Sequence, residues 1–134
     1  ALKRRLVYST QMALKAAMSQ ARAGQPIREI GRAIEQTAKK KGFRILRNLC
    51  SHGVGLGLHE EPKEILPYYD PRDRRVLTQG MVITIEPFLS TRSTYVSEAS
   101  DGWTLLGEKG NLSAQFEHTM VITEKEPLIL TQAF

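Results

Sequence analysis

The chain has one cysteine among its 134 residues, so it cannot form a disulfide bond within itself. No apolar run approaches the ~20 residues that a transmembrane helix needs. The first segment also lacks the apolar core and the cleavage site of a signal peptide. These features argue against a disulfide-stapled secreted domain and against a membrane protein. We therefore expect a cytoplasmic location and no membrane partner.

Acidic residues are fewer than basic ones, fourteen against nineteen, which leaves a net charge of +5. The basic residues form small groups, such as Lys3–Arg5, Lys39–Lys41 and Arg72–Arg75. No aromatic residues are interleaved with these groups in the sequence, as a stacking platform for bases would require. We interpret the groups as solvated helix faces and helix ends, and predict no specific nucleic-acid partner.

Two helices are predicted in the first third of the chain. Good helix formers, with an apolar stripe at three- and four-residue steps, extend from Leu2 to about Ala23, and Gly24 ends this pattern. Pro26 suits the first turn of a second helix, which a lysine triplet and Gly42 close.

After Gly42 the sequence pattern changes to short strands, with an irregular surface connection between residues 62 and 80. The predicted strands cover residues 43–46, 81–86, 103–106, 116–123 and 127–131. Two helices followed by several antiparallel strands predict an α+β fold.

The stretch SHGVGLGLHEEP, residues 51–62, carries two of the three histidines on either side of three glycines. Its spacing is GxGxG, which differs from the dinucleotide-binding pattern GxGxxG, and the GK[ST] of a phosphate loop is absent. Glycine here allows a backbone to approach closely to another group while the flanking imidazoles stay open.

Two carboxylates complete a candidate metal site with His52. Glu86 ends an apolar strand, and Glu117 shares one strand face with Thr119, whereas His118 lies on the opposite face. One imidazole with several carboxylates suits Zn, Mn, Fe or Co. From spacing alone, the simpler interpretation, a hydrogen-bonded loop histidine and a buried salt-bridge partner, is favoured over a metal site.

Three separated stretches, SHGVGLGLHEEP, GMVITIEPFLS and SAQFEHTMVIT, occur in this order, with DGWTLL before the last. Together they resemble the C-terminal half of type I methionine aminopeptidases, and the likeness extends over nearly the whole chain. The resemblance implies that residues 1–134 form the C-terminal half of the pita-bread fold, with two helices packed on an antiparallel sheet.

The resemblance also implies residue roles. His52, Glu86 and Glu117 correspond to metal ligands, and Glu86 also to a proton shuttle. His59 corresponds to a histidine that contacts the scissile peptide, and so has both a catalytic and a substrate-binding role. Leu58 stands where the family usually has an aromatic residue beside the methionine pocket. Trp103 corresponds to an aromatic residue of the family that lies near that pocket.

The chemistry that the resemblance implies is removal of the N-terminal methionine from newly made proteins. Two divalent ions (Co, Mn, Fe or Zn) would share a bridging water and supply a hydroxide that attacks the first peptide carbonyl. The partner is then the N-terminal peptide of a nascent protein.

The family also uses two aspartates and a further histidine from an N-terminal half, and this chain contains nothing that resembles those motifs. Asp70, Asp73 and Asp101 lie in turn-like contexts and are poor substitutes. We therefore expect these 134 residues alone to be inactive, and to self-associate through the surface meant for the missing half.

Two alternatives remain open. One is another pita-bread peptidase, a proline-directed aminopeptidase or dipeptidase. The other is a catalytically dead module that binds peptides or proteins, against which the presence of His52, Glu86 and Glu117 argues.

Overall fold

The computed structural model describes residues 1–133 and confirms the α+β fold, with two helices packed on antiparallel sheets. No helix within these residues is long and apolar enough to cross a membrane. The helices are α1 (Leu2–Met18) and α2 (Arg28–Lys41). The strands are β1 (Arg44–Ile45), β2 (Ser51–Gly53), β3 (Glu60–Ile65), β4 (Val82–Ile85), β5 (Phe88–Ser90), β6 (Ser97–Glu98), β7 (Leu105–Leu106), β8 (Ser113–Gln115), β9 (His118–Val121) and β10 (Leu128–Ile129).

The central sheet has five strands in the order β10-β9-β4-β2-β3, and all of its pairs are antiparallel. Strands β1, β5 and β8 form a second sheet, and β6 pairs with β7 in a hairpin. The two helices pack against each other and against both larger sheets. Ile83 and Ile85 of β4 and Met120 of β9 are fully buried on the helix-covered side of the central sheet.

The first helix ends five residues earlier than its composition predicts. The Ser19 hydroxyl donates to the Ala16 carbonyl (2.7 Å), and the next two backbone N–H groups bond three residues back, which tightens the chain into turns. The Ala23 N–H then donates to the Thr123 carbonyl (2.8 Å), so a tertiary hydrogen bond outweighs local helix propensity.

The predicted irregular connection at 62–80 is wrong at its start, because β3 extends to Ile65 and contains Pro62. Strand β3 is an edge strand, where a residue without an N–H group is tolerated. The histidine-containing segment Ser51–Gly53 is also a strand, between β3 and β4, although the sequence pattern indicated a loop.

Gly31 in α2 marks a close approach between this helix and the segment after β3. A Cβ atom at this position would lie 2.3 Å from the Tyr68 carbonyl oxygen and 2.5 Å from that of Leu66. Both neighbours are backbone atoms, which cannot move aside as a side chain can.

We predict that Gly31→Ala lowers the free energy of unfolding by about 2 kcal/mol or more, as expected for overpacking. An alanine at an ordinary helix position would instead stabilise the protein by about 1 kcal/mol. Urea unfolding followed by circular dichroism measures the difference. The exposed Gln36→Ala in the same helix is the control, and an unchanged or raised stability of Gly31→Ala would contradict the observed contact.

Candidate metal centre

Strand register brings the two candidate glutamates together. In the β4–β9 pair, Thr84 lies opposite Thr119 and Ile85 opposite His118. One further step along this register places Glu86 opposite Glu117, just beyond the two strand ends. Both side chains therefore leave the sheet on the Thr84 face, opposite the face that the helices cover.

The neighbouring strand brings His52 to the same face. Gly53 lies opposite Ile83, so His52 lies beside Thr84, and its N–H donates to the Thr84 hydroxyl oxygen (3.3 Å). The Ser51 hydroxyl oxygen accepts the N–H of Glu86 (2.9 Å), which ties the end of β4 to β2. These two side-chain bonds fix the relative position of the imidazole and the carboxylate.

The three groups converge closely. One ligand atom from each of His52, Glu86 and Glu117 lies within 4.8 Å of the others. The His52 Nδ1 lies 2.8 Å from the Gly53 carbonyl oxygen, which only accepts, so Nδ1 carries a proton. In the neutral ring Nε2 is then an acceptor, and it faces the Glu86 Oε1 at 3.2 Å. Two acceptors at this distance need a proton or a cation between them.

The surroundings of Glu86 also disfavour its negative charge unless a proton or a cation is present. Burial raises the pKa of the Glu86 carboxyl, and the negative charge of Glu117 raises it further. His52 and hydrogen bonds from Gln115 Nε2 (3.0 Å) and Thr84 Oγ1 (3.4 Å) act in the opposite direction without cancelling the rise in pKa. The raised pKa makes the Glu86 carboxylate a better proton acceptor than an ordinary glutamate.

The donor set therefore fits a divalent ion. A cation between the three groups would satisfy the free Nε2 lone pair and neutralise the two carboxylates at once. The Nδ1–H bond to the Gly53 carbonyl is the orienting contact usual for a metal-binding histidine. His52 is buried, Glu86 is half-buried and Glu117 is exposed, so the site is open to the solvent on one side.

His59 lies beside this cluster, with its ring centroid 4.2 Å from that of His52. Both imidazoles and Glu86 line a cavity of about 260 Å³, whose apolar wall includes Phe88. Cys50 also lines it, and burial, followed by the charges of Glu64 and Glu86, raises the pKa of its thiol. The thiol is therefore held protonated, and we assign no chemistry to it.

The structure does not bring Leu58 or Trp103 into that cavity. Leu58 is 72% exposed, and Trp103 is 87% exposed in the turn of the β6–β7 hairpin. Leu105 of the same hairpin lines a second cavity, which shares Leu49 and Phe88 with the first. The hairpin thus borders the site, whereas the two side chains point into solvent.

Glu60 is a positioning residue that sequence reasoning missed. Its Oε1 accepts the N–H of Gly57 (2.6 Å), and a Cβ atom on Gly55 would lie 2.3 Å from its Oε2. A Cβ atom on Gly53 would lie 2.2 Å from the Glu61 carbonyl oxygen. The close backbone approach therefore requires a glycine at position 53, and the Glu60 carboxylate leaves little room for a side chain at position 55. In the sequence, the only indication of this contact is a glutamate three residues after Gly57.

Gln115 was also missed. It ends β8, two residues before Glu117, and its Nε2 donates to the Oε2 of Glu86. Its place in the SAQFEHT stretch was the available signal for this contact.

The model for metallopeptidase family M24 matches residues 2–124 of this chain. Methionine aminopeptidase 2 of Bacillus subtilis is 42% identical over 128 residues, which are 96% of this chain and 51% of that protein. The methionine aminopeptidase of Escherichia coli K12 is 41% identical over 128 residues, 95% of this chain and 48% of that protein. The chain thus spans about half the length of the curated relatives it matches.

Solved structures show the same pattern. The crystal structure of methionine aminopeptidase from Rickettsia prowazekii matches 98% of this chain and 54% of its own, with a TM-score of 0.91 and 33% identity. Prolidase from Pyrococcus furiosus matches 100% of this chain and 34% of its own, with a TM-score of 0.72 and 28% identity. The fold is therefore that of the pita-bread aminopeptidases.

We predict that Glu86→Gln stabilises the metal-free protein near neutral pH by about 1 kcal/mol, the usual size of such a gain. The pKa of Glu86 is higher in the folded protein than in the unfolded chain. Its contribution to the free energy of unfolding is therefore fully present below the ordinary glutamate pKa, and it is lost as the pH rises through the raised, folded-state pKa. The substitution removes that decline and also weakens Mn²⁺ or Zn²⁺ binding. Denaturant unfolding at several pH values and calorimetric titration test both effects. Lower stability together with unchanged metal affinity would contradict the description.

Gly53→Ala and Gly57→Ala form a matched pair. The first would push a Cβ atom into the Glu61 backbone and should destabilise the chain by about 2 kcal/mol or more. The second meets the Glu60 side chain only at 3.5 Å, and should change stability by less than about 1 kcal/mol. Unfolding curves and zinc titrations of both variants provide the comparison. Equal effects of the two substitutions would contradict the close approach of Gly53 to the Glu61 backbone.

Proposed function

The chain belongs to metallopeptidase family M24, and from this premise we propose that the protein removes the N-terminal methionine from newly made proteins. The observation that carries the proposal is the convergence of His52, Glu86 and Glu117 on the open face of the sheet. The curated relatives reported above, methionine aminopeptidases at 41–42% identity, support this substrate.

Membership of a metallopeptidase family implies a divalent metal cofactor. In our proposal His52, Glu86 and Glu117 hold it, and in the complete enzyme two ions of Co, Mn, Fe or Zn are bound. When bound, such ions activate water for attack on a peptide carbonyl. In this proposal Glu86 accepts a proton from the attacking water and passes it to the leaving amine.

His59 orients the substrate in this proposal. Its ring lines the same cavity as Glu86, with its centroid 4.2 Å from that of His52, and we propose that it donates a hydrogen bond to the carbonyl of the scissile peptide. Phe88 and Leu49 offer an apolar wall beside it for the methionine side chain. Trp103 and Leu58 would complete that pocket only after moving from their exposed positions.

We further propose that residues 1–134 are the C-terminal half of the catalytic domain. Two metal-binding aspartates would then come from the other half, and this chain alone would be inactive. Exposed apolar side chains support self-association of the isolated half; they include Leu56, Leu58, Trp103, Leu128 and Leu130. We place the protein in the cytoplasm, where newly made proteins are processed.

A proline-directed peptidase is the second candidate, because prolidase structures share this fold. Their identity of 26–28% and TM-scores of 0.71–0.72 are lower than those of the methionine aminopeptidase structures reported above. The substrate assay below separates these two activities.

We predict that the complete protein containing this sequence releases methionine from Met-Ala-Ser with Mn²⁺, Co²⁺ or Fe²⁺ present, and releases nothing from an Xaa-Pro peptide. The 134 residues alone should show no turnover. Amino-acid release is measured by chromatography. Glu117→Gln should lower kcat/KM by more than the ~10–100-fold typical of second-shell changes, because a ligand itself is lost.

Glu126→Gln, an exposed carboxylate away from the site, is the matched control and should retain the rate. Release from Xaa-Pro would support the second candidate, and release from neither peptide would support a binding module. Turnover by the 134 residues alone would contradict the need for a second half.

A further inference from the structure

Two basic triplets that are far apart in the sequence lie together at one end of the helical layer. Arg5 Nη2 donates to the Lys41 carbonyl oxygen at 3.5 Å, and the Arg5 guanidinium lies 5.8 Å from the Phe43 ring centroid. The start of α1 therefore adjoins the end of α2. We name this surface the basic helix end; its cations are Lys3, Arg4, Arg5, Lys39, Lys40, Lys41 and Arg44.

Few acidic residues of this chain lie where they could neutralise these cations. Residues 1–28 and 36–59 contain no Asp or Glu. Within residues 1–133, none of the seven cations forms an ion pair with a carboxylate. Glu35, the nearest acid in sequence to the lysine triplet, is engaged with Arg47 (3.7 Å) and with the Tyr69 N–H (3.2 Å). The basic helix end therefore projects an uncompensated positive potential.

Helix stability accounts for Lys39–Lys41, which lie at the C-terminus of α2, where cations are favourable. Lys3–Arg5 project from α1, and no acid among residues 1–28 offsets their charge.

An exposed aromatic ring lies within the basic helix end. Tyr8 is 56% exposed, follows Arg4 by one helical turn, and has Lys41 Nζ 5.7 Å from its ring centroid. The sequence pattern had argued against nucleic-acid binding because aromatic residues were not interleaved with the basic groups. The fold supplies that arrangement, because Lys41 reaches Tyr8 from the other helix.

The outward stripe of α1 favours a nucleic acid over a membrane surface. Arg4, Tyr8, Gln11 and Lys15 are all exposed and follow one another at steps of three or four residues. A helix that lies in a membrane interface needs an apolar stripe there. The exposed Val7 lies to one side of this stripe and does not continue it.

We propose that the basic helix end binds the phosphate backbone of a nucleic acid strand without reading its sequence, with Tyr8 stacking on a base. The surface is formed by the outer helices, whereas the metal cluster lies on the opposite face of the central sheet. The proposal therefore stands or fails independently of the peptidase activity.

Fluorescence anisotropy with a labelled 20-nucleotide oligouridylate tests this proposal. We expect a Kd in the range of about 1–100 μM at physiological salt, as for non-specific binding. The triple variant Arg4→Gln, Lys40→Gln, Lys41→Gln should bind at least ~10-fold more weakly, and its salt-dependence slope should be smaller by about 2, or ~0.7 per lost phosphate contact.

The matched control is Arg22→Gln, Lys109→Gln, Lys125→Gln, which removes the same charge at exposed positions elsewhere. It should change the Kd by less than about 3-fold, because exposed charges beyond a Debye length are largely screened. Circular dichroism confirms folding. If the triple variant unfolds, the single variants Arg4→Gln and Lys40→Gln carry the same test with smaller expected losses.

Tyr8 provides a second readout. Tyr8→Leu should weaken binding by about 5-fold or more with an unchanged salt slope, since stacking is lost and no charge is, whereas Tyr8→Phe should retain affinity. Equal losses in the two triple variants, or no measurable binding, would overturn the proposal. Binding to phosphatidylglycerol vesicles that depends on the basic helix end, without oligouridylate binding, would also overturn it and assign a membrane surface.

Discussion

Two acceptor atoms face each other on the open face of the central sheet, and the surrounding structure holds them there. The His52 Nδ1 donates to its neighbouring carbonyl, so Nε2 presents a lone pair to the Glu86 carboxylate at 3.2 Å. Glu117 adds a second negative charge within the same small volume. Without a proton or a cation this arrangement is unfavourable, and it survives because folding energy from elsewhere outweighs it.

The rest of the fold supplies that energy and fixes the geometry. The two helices cover one face of the central sheet and bury Ile83, Ile85 and Met120, which leaves the opposite face free for polar groups. Ser51 and Thr84 accept backbone N–H groups across the β2–β4 pair and so set the spacing of the ligands. The apolar core under the helices thus holds a cluster of mutually unfavourable polar groups on the open face of the sheet, an arrangement typical of active sites.

The sequence predicted the fold class and pointed to the three groups through their motifs, but spacing alone could not show that they meet. Their convergence depends on the pairing of β4 with both β2 and β9, and the sequence pattern had not identified β2 as a strand. Glu60 was missed because its role is to accept an N–H inside a turn, a contact that no periodicity indicates. The basic triplets looked like separate solvated groups, since nothing local shows that Arg5 reaches Lys41.

The tautomer and metal response of His52 test the central claim most directly. Long-range ¹H–¹⁵N correlation spectra of the ¹⁵N-labelled protein report which ring nitrogen carries the proton. We predict the Nδ1–H form without metal, and on titration with Zn²⁺ a shift of the His52 Nε2 resonance that saturates together with side-chain changes at Glu86 and Glu117. A protonated Nε2, or a zinc titration that leaves the His52 ring nitrogens unchanged, would contradict the assignment of this cluster as a metal centre.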